Sequence, residues 1–424
     1  MTPTLNTEQL AAVEDILTFL SEPKEPGEPR FFLLQGSAGT GKTFTVKELT
    51  RRLRGRLIFS APTNKAVRIL KDTLTTDSYK PECRTIYSLL GLRLEANGEM
   101  KVLTEPEDPV DLTRYVAVIV DEASMVNQTL MQFIRTTSQE QGVAFIFLGD
   151  PAQLPPVKET SSEVWKTKRQ ASLQTVMRHD NQILALATAL RKVVNHPAPR
   201  LTIESSNANG EGVWRCAEAE FDSRIIAAAE QGRFSTPNCA KAIAWRNSTV
   251  DSLNRRIRSC IFDNPTEFWL PDDRIILTEP ARDIDGEVIA TTDEEGRVER
   301  VEEEWHPEYG EFKIYRLRVT SDEGTPIILR VIHPDWQLYF AREVSRLAEE
   351  ARVTPRKWKN FWAFKEAFHQ VRHGYAITAH RSQGSTYEAA FVEWRDILIN
   401  RNRQEAYRCL YVACTRPKKE LYLG

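Results

Sequence analysis

Residues 31–43 read Phe31-Phe32-Leu33-Leu34-Gln35-Gly36-Ser37-Ala38-Gly39-Thr40-Gly41-Lys42-Thr43, an apolar run that closes in a complete G-x-x-x-x-G-K-[ST] loop. A strand that ends in a glycine-rich turn and opens a helix presents backbone N–H groups and a helix dipole to phosphates. Lys42 then reaches the β- and γ-phosphates, and the Thr43 hydroxyl suits Mg²⁺. The string and its place after an apolar strand favour a nucleoside triphosphate cradle, with ATP and Mg²⁺ expected, over an ordinary glycine turn. Gly36, Ser37, Ala38, Gly39, Thr40, Gly41, Lys42 and Thr43 are the expected cradle.

Outward from the loop, apolar strands alternate with helical stretches. Leu10, Val13, Leu17 and Leu20 predict a helix over the first 20 residues, capped by Asn6 or Thr7. A helix is expected over 41–54, a strand at Leu57-Ile58-Phe59, and a helix from about Lys65. Residues 115–120 and 144–148 are apolar throughout, as doubly buried parallel strands are. Asn97-Gly98 between two short strand-like runs predicts a hairpin. A second α/β block begins at Ala240–Trp245, resumes at Tyr375 and closes with Leu421-Tyr422-Leu423. Between its halves, residues 312–319 and 326–331 suggest a small barrel, and 336–373 are helical in pattern. The acidic stretch Asp293–Glu304 reads as a solvated hairpin.

With 424 residues the chain is long enough for about three domains. A net charge of −2 carries no global basic signature, so any nucleic-acid site must be a local stripe. Six cysteines without C-x-x-C spacing read as reduced thiols of an intracellular protein. There is no signal-peptide pattern and no apolar run approaching the ~18 residues of a membrane span. A cytoplasmic protein is expected, in the host cytoplasm if phage-encoded.

Two further clusters fit hydrolysis. Asp121-Glu122 follows strand 115–120, where open α/β sheets place ligands. One carboxylate suits Mg²⁺ and the next suits a base for water. Gln153, in Gly149-Asp150-Pro151-Ala152-Gln153-Leu154-Pro155-Pro156, is an amide able to bond phosphate oxygens or the lytic water.

In order, Gln9, Gly36–Thr43, Ala61–Lys65, Thr85-Ile86-Tyr87, Asp121-Glu122-Ala123-Ser124, Gly149–Pro156, Arg178, Thr378–Ser385 and Tyr411–Arg416 resemble the motifs of superfamily 1 helicases. Ser382-Gln383-Gly384-Ser385 and Tyr411-Val412-Ala413-Cys414-Thr415-Arg416 resemble its RecD/Dda branch. The resemblance implies two RecA-like P-loop domains with parallel sheets. A small hairpin is inserted in the first, and a β-barrel with a helical tower in the second. Domain 1 would span 1–175 with its hairpin at about 88–112, domain 2 would comprise 176–270 and 374–424, and the insertion 271–373.

The same resemblance gives roles. Lys42, Asp121, Glu122 and Gln153 would serve catalysis. Gln9 would read adenine, and Gly384 would line the nucleotide. Arg178 and Arg416 would act as arginine fingers. Thr386 stands where many members carry a ribose-holding glutamate, so no ribose carboxylate is expected. Pro62, Thr63, Asn64, Thr85, Tyr87, Thr378 and His380 would contact the tracked strand. The basic and aromatic residues of 356–373 suit a nucleic-acid platform, but their helical spacing favours a packed face.

The expectation is an ATP-dependent DNA helicase moving 5′→3′ on single-stranded DNA. It would act on DNA forks as a monomer, alongside a single-strand-binding protein or replication and recombination proteins. Two alternatives stand beside it: a helicase for RNA or RNA–DNA hybrids, and an ATP-switched single-strand-binding protein.

Overall fold

The computed structural model describes residues 5–53, 56–77, 79–105, 110–175, 182–195 and 202–424. The chain forms two compact units, one of Met1–Leu92, Glu105–Ala217 and Ser382–Gly424, the other of Arg93–Thr104 and Glu218–Arg381.

The first unit is built on a six-stranded parallel sheet. Its strands run in the order Cys83–Thr85, Leu57–Ala61, Ala117–Val120, Ala144–Gly149, Phe31–Gly36, Gln170–Leu173. Alternate residues feed two cores, as a strand buried on both faces requires. Phe32, Leu34, Phe59, Ile119 and Ile146 face the helices Thr7–Ser21, Lys42–Leu53 and Asn64–Leu74. Leu33, Ile58, Val118, Phe145 and Phe147 face Leu130, Met131 and Ile134 of helix Gln128–Gln141. The phosphate loop therefore leaves an interior strand, and Asp121 and Asp150 follow the carboxyl ends of two others.

Strand 117–120 is shorter than its apolar run, although Val116 N–H still donates to the Arg56 carbonyl (2.9 Å). The first helix runs Thr7–Ser21 with Asn6 as N-cap and Gln9 closing a capping box. Its buried face differs from the expected one. Gln9, Ala12, Val13, Ile16 and Phe19 are buried, whereas Leu10 is 41% exposed. Apolar residues surround this helix on nearly every side, so spacing alone does not fix the face. In the same unit, strand Pro417–Leu423 pairs in parallel with Tyr387–Val392 and with Glu211–Arg215.

In the second unit, Ala240–Ala244 pairs in parallel with Ala376–Thr378. Five antiparallel strands follow in the order Pro326–Ile332, Lys313–Ser321, Glu295–Trp305, Arg274–Leu277, Val371–His373. The two edges are drawn together at His369. Its N–H donates to the Arg330 carbonyl (2.7 Å), and its Nδ1 accepts from Arg330 N–H (3.0 Å). Burial pushes the His369 ring down to about 4, which keeps Nδ1 an acceptor. The acidic stretch forms most of strand Glu295–Trp305, with Glu302 and Glu303 paired to Arg316 and Lys313 on the neighbouring strand.

The helical expectation for 336–373 fails at its end. Helices Gln337–Val353 and Trp358–Ala367 form, but 371–373 is a strand, because the chain turns extended at Phe368 and joins Arg274–Leu277. Phe361, Phe364 and Phe368 are buried, the last two with Phe312 and Ile314, so this stretch is a packed face. The hairpin Arg93–Asn97 and Met100–Thr104 turns at Asn97-Gly98 and docks on the second helix. Trp362 Nε1 donates to the Gly98 carbonyl (3.0 Å), Arg352 pairs with Glu99 (2.8 Å), and Lys101 pairs with Glu366. All six cysteines are free thiols. Among the described residues, no helix is long and apolar enough to cross a membrane.

Candidate nucleotide site

The phosphate loop is held by contacts that leave Gly36 and Gly41 no room for a side chain. Gly41 has φ +80°, and a Cβ there would lie 2.5 Å from Gln9 Nε2. A Cβ on Gly36 would lie 2.6 Å from Thr40 Oγ1. Gln9 is fully buried and both ends of its amide are used. Its oxygen accepts from Asn6 N–H (3.0 Å) and its nitrogen donates to the Thr40 carbonyl (3.0 Å), so it braces the loop against the first helix. Lys42 Nζ donates to the Gly36 and Ser37 carbonyls at 2.7 and 3.2 Å, which holds the ammonium at the mouth of the loop. Thr43 sits in the first turn of the helix that starts at Lys42.

Asp121 and Glu122 follow strand Ala117–Val120, which is separated from the loop's strand Phe31–Gly36 by strand Ala144–Gly149. Asp121 Oδ1 accepts from Glu122 N–H (2.8 Å), and Glu122 adopts a left-handed backbone with φ 51°. A side chain in that conformation costs about 1–2 kcal/mol. Burial pushes both carboxyls above their ordinary range; Asp121 pushes Glu122 further, while Arg416 and Lys42 pull it back. A carboxylate such as Asp121 and a hydroxyl such as Thr43 are oxygen donors of the kind a divalent cation takes.

Arg416 is 6% exposed. Its Nε donates to the Val412 carbonyl (2.9 Å), Nη1 to the Ser385 carbonyl (3.2 Å) and Nη2 to Thr415 Oγ1 (2.8 Å). Arg178 lies outside the described residues.

Three buried polar side chains meet behind the acidic pair. Ser124 Oγ donates to Gln153 Oε1 (3.1 Å), and Gln383 Nε2 donates to Ser124 Oγ (2.9 Å) and to Gln153 Oε1 (3.2 Å). A fourth contact ties the loop to the last long helix. Tyr411 Oη accepts from Ala38 N–H (3.4 Å) and donates to the fully buried Asp150. Asp150 also accepts from Ala152 N–H (3.0 Å) and lies 3.5 Å from Arg191. Burial and this carboxylate push the Tyr411 hydroxyl far up, so it remains a donor.

Ser124, Asp150, Gln383 and Tyr411 stand within the quoted motifs, but the sequence alone assigns them no role. Their signal was a polar residue beside apolar strand or helix runs. Which of them pair is fixed only by the fold.

Two known families match the chain, one described as an AAA domain over residues 4–211 and one as a UvrD-like helicase C-terminal domain over 373–423. The ATP-dependent DNA helicase dda of Enterobacteria phage T4 is 26% identical, with 92% of this chain and 93% of the phage protein covered. The chain is a Pif1/Dda-like superfamily 1 helicase. An uncharacterised protein of Acanthamoeba polyphaga mimivirus resembles this helicase at 23% identity over 98% of this chain and 99% of its own length. Among solved structures, Pif1 helicases described for unwinding at forked duplex DNA share its fold, with TM-score 0.53, 15% identity and coverage of 99% and 92%. A Bacteroides Pif1 in complex with ADP-AlF3 and single-stranded DNA gives TM-score 0.51 at the same identity and coverage.

The expected strand-contacting residues of this helicase differ in exposure and in the contacts they already make. In the first unit, Thr63 caps helix Asn64–Leu74 and Thr85 caps helix Ile86–Leu89, each through its hydroxyl. Asn64 is exposed, Tyr87 half-buried and Pro62 buried. Gly384 has φ +73°, and a Cβ there would lie 3.5 Å from Ala66. In the second unit, Thr378 Oγ1 accepts from Arg381 N–H (3.3 Å), and His380 is half-buried.

Proposed function

We propose that this helicase hydrolyses ATP to move 5′→3′ along single-stranded DNA and to separate duplex DNA. The reading is carried by one observation: a half-buried carboxyl on a left-handed backbone, Glu122, that feels both the loop cation Lys42 and the buried Arg416 within a single folded unit. A carboxyl raised above its ordinary range is a competent base for water, and nearby cations offset charge that builds on a transferred phosphoryl group. Lys42 would bind the β- and γ-phosphates, Gln153 would face the γ-phosphate, and Arg416 with Arg178 would neutralise transition-state charge. Gln9 and Gly384 would line the nucleotide. Thr43 and Asp121 would hold Mg²⁺, which supplies charge neutralisation on the phosphates.

Movement needs grip on backbone without reading bases. Thr63 and Thr85 at helix N-termini, with Pro62, Asn64, Tyr87, Thr378 and His380, are the proposed contacts. The proposed division is a first domain over 1–175, a second over 176–270 and 374–424, and an insertion over 271–373. The hairpin tipped by Asn97-Gly98, braced on helix Trp358–Ala367, would be the separating pin. That the phage T4 relative is a DNA helicase supports DNA as the substrate, and a monomer in the cytoplasm acting with single-strand-binding or recombination proteins fits the proposal.

Steady-state ATP hydrolysis, measured alone, with single-stranded DNA and with single-stranded RNA, tests this reading. Stimulation by DNA above that by RNA is expected. Hydrolysis indifferent to nucleic acid would contradict a motor, and stimulation by RNA alone would contradict the choice of substrate.

A further inference from the structure

Gln153 can meet a phosphate in two opposite ways. Its amide nitrogen would donate to a phosphate oxygen, whereas its amide oxygen would accept from a lytic water. The hydrogen bonds behind it decide between them. Gln153 Oε1 takes two donors, Ser124 Oγ at 3.1 Å and Gln383 Nε2 at 3.2 Å, so both lone pairs of that oxygen are occupied. Ser124 Oγ can donate there because it accepts from Gln383 Nε2 at 2.9 Å. The three side chains are 1%, 8% and 7% exposed, so water does not readily replace a missing partner. With its oxygen turned inward, Gln153 presents only its NH₂ outward.

We propose that Gln383 and Ser124 are positioning residues that lock Gln153 as a donor to the γ-phosphate. The inference rests on Gln153 facing that phosphate, as proposed above. Gln383 lies in Ser382-Gln383-Gly384-Ser385, next to Gly384, whose φ of +73° sets the turn that carries it. A rotated Gln153 would offer its oxygen to phosphate and be repelled. It would also place its NH₂ against the Gln383 NH₂, two donors facing each other. Because the ADP moiety lacks the γ-phosphate, the lock acts on ATP turnover and not on ADP binding.

The test is a double-mutant cycle on kcat for ATP hydrolysis in the full chain, with fluorescent ADP affinity measured in parallel. Gln153→Ala and Gln383→Ala are each expected to lower kcat about 10- to 100-fold, with ADP affinity within about 3-fold of wild type. In the Gln153→Ala background, Gln383→Ala should lower kcat by no more than about 2-fold, because it acts only through Gln153. Gln383→Glu, which cannot donate to Gln153 Oε1, should be at least as damaging as Gln383→Ala, and Ser124→Ala should follow Gln383→Ala. Unchanged kcat in Gln153→Ala would remove the parent reading of that residue. An impaired Gln153→Ala with a fully multiplicative Gln383→Ala, or a Gln383→Ala that loses ADP binding, would overturn the lock itself.

Discussion

Gly41→Ala should damage the phosphate loop through Gln9, and the size of the effect can be worked from the geometry. At φ +80° an alanine costs about 1–2 kcal/mol in backbone strain. Its Cβ would lie 2.5 Å from Gln9 Nε2, so the amide must move. Gln9 is fully buried and bonded at both ends, to Asn6 N–H and to the Thr40 carbonyl. Moving it leaves a buried polar group unmatched, at about 1–3 kcal/mol. The total is about 2–5 kcal/mol, of which only the strain survives when Gln9 is already alanine.

Hydrogen exchange of helix Thr7–Ser21 and of the loop reads local opening directly, about tenfold in rate per 1.4 kcal/mol. Gly41→Ala should speed exchange about 30- to 4,000-fold in the wild-type background, and about 5- to 30-fold in Gln9→Ala. Additivity within about 0.5 kcal/mol would refute the claim that Gln9 braces this loop.

Other substitutions test other parts of the site. Lys42→Ala should abolish measurable ATP hydrolysis, and near-normal turnover would remove the loop from the catalytic account. Glu122→Gln should lower kcat about 10²- to 10⁴-fold while nucleotide binding persists. It should also melt at a higher temperature than wild type at pH 8. Burial and Asp121 hold the Glu122 carboxyl above its unfolded value, so wild type loses stability as pH rises from about 4.3 through that raised value, and the neutral glutamine does not. The melting difference should shrink as pH falls toward 4, and a difference that grows would give the wrong sign. Arg416→Ala should lower kcat by orders of magnitude with a small change in nucleotide affinity, and an effect confined to KM would make it a ground-state contact. Trp362→Phe deletes the donor to the Gly98 carbonyl, about 1 kcal/mol; it should slow duplex separation while DNA-stimulated hydrolysis stays within about 2-fold.

What the sequence made legible follows from how these elements are buried. Strands 117–120 and 144–149 are covered on both faces, so they are apolar throughout and stand out without neighbours, and the run Phe31–Leu34 stands out the same way. Asn97-Gly98 was legible because Gly98 sits at φ +64°, a conformation that selects glycine. The first helix was legible as a helix but not in its facing, since a buried Gln9 replaces an apolar residue on its core side. The strand at 371–373 was hidden because its pairing depends on Arg274–Leu277, about a hundred residues earlier. For the site, Lys42, Asp121, Glu122 and Gln153 could be named because local motifs carry them. The links of Gln383 to Gln153 and of Tyr411 to Asp150 span more than two hundred residues, and no local spacing records them.

The central claim is directional movement on DNA driven by this ATP site. Its most direct test is strand separation of partial duplexes that carry either a 5′ or a 3′ single-stranded DNA tail, with ATP and Mg²⁺. The account predicts that the 5′-tailed duplex is separated and the 3′-tailed one is not, with Glu122→Gln inactive on both. Preferential separation of the 3′-tailed duplex would contradict the direction, and separation of neither in the presence of ATP hydrolysis would contradict the helicase reading itself.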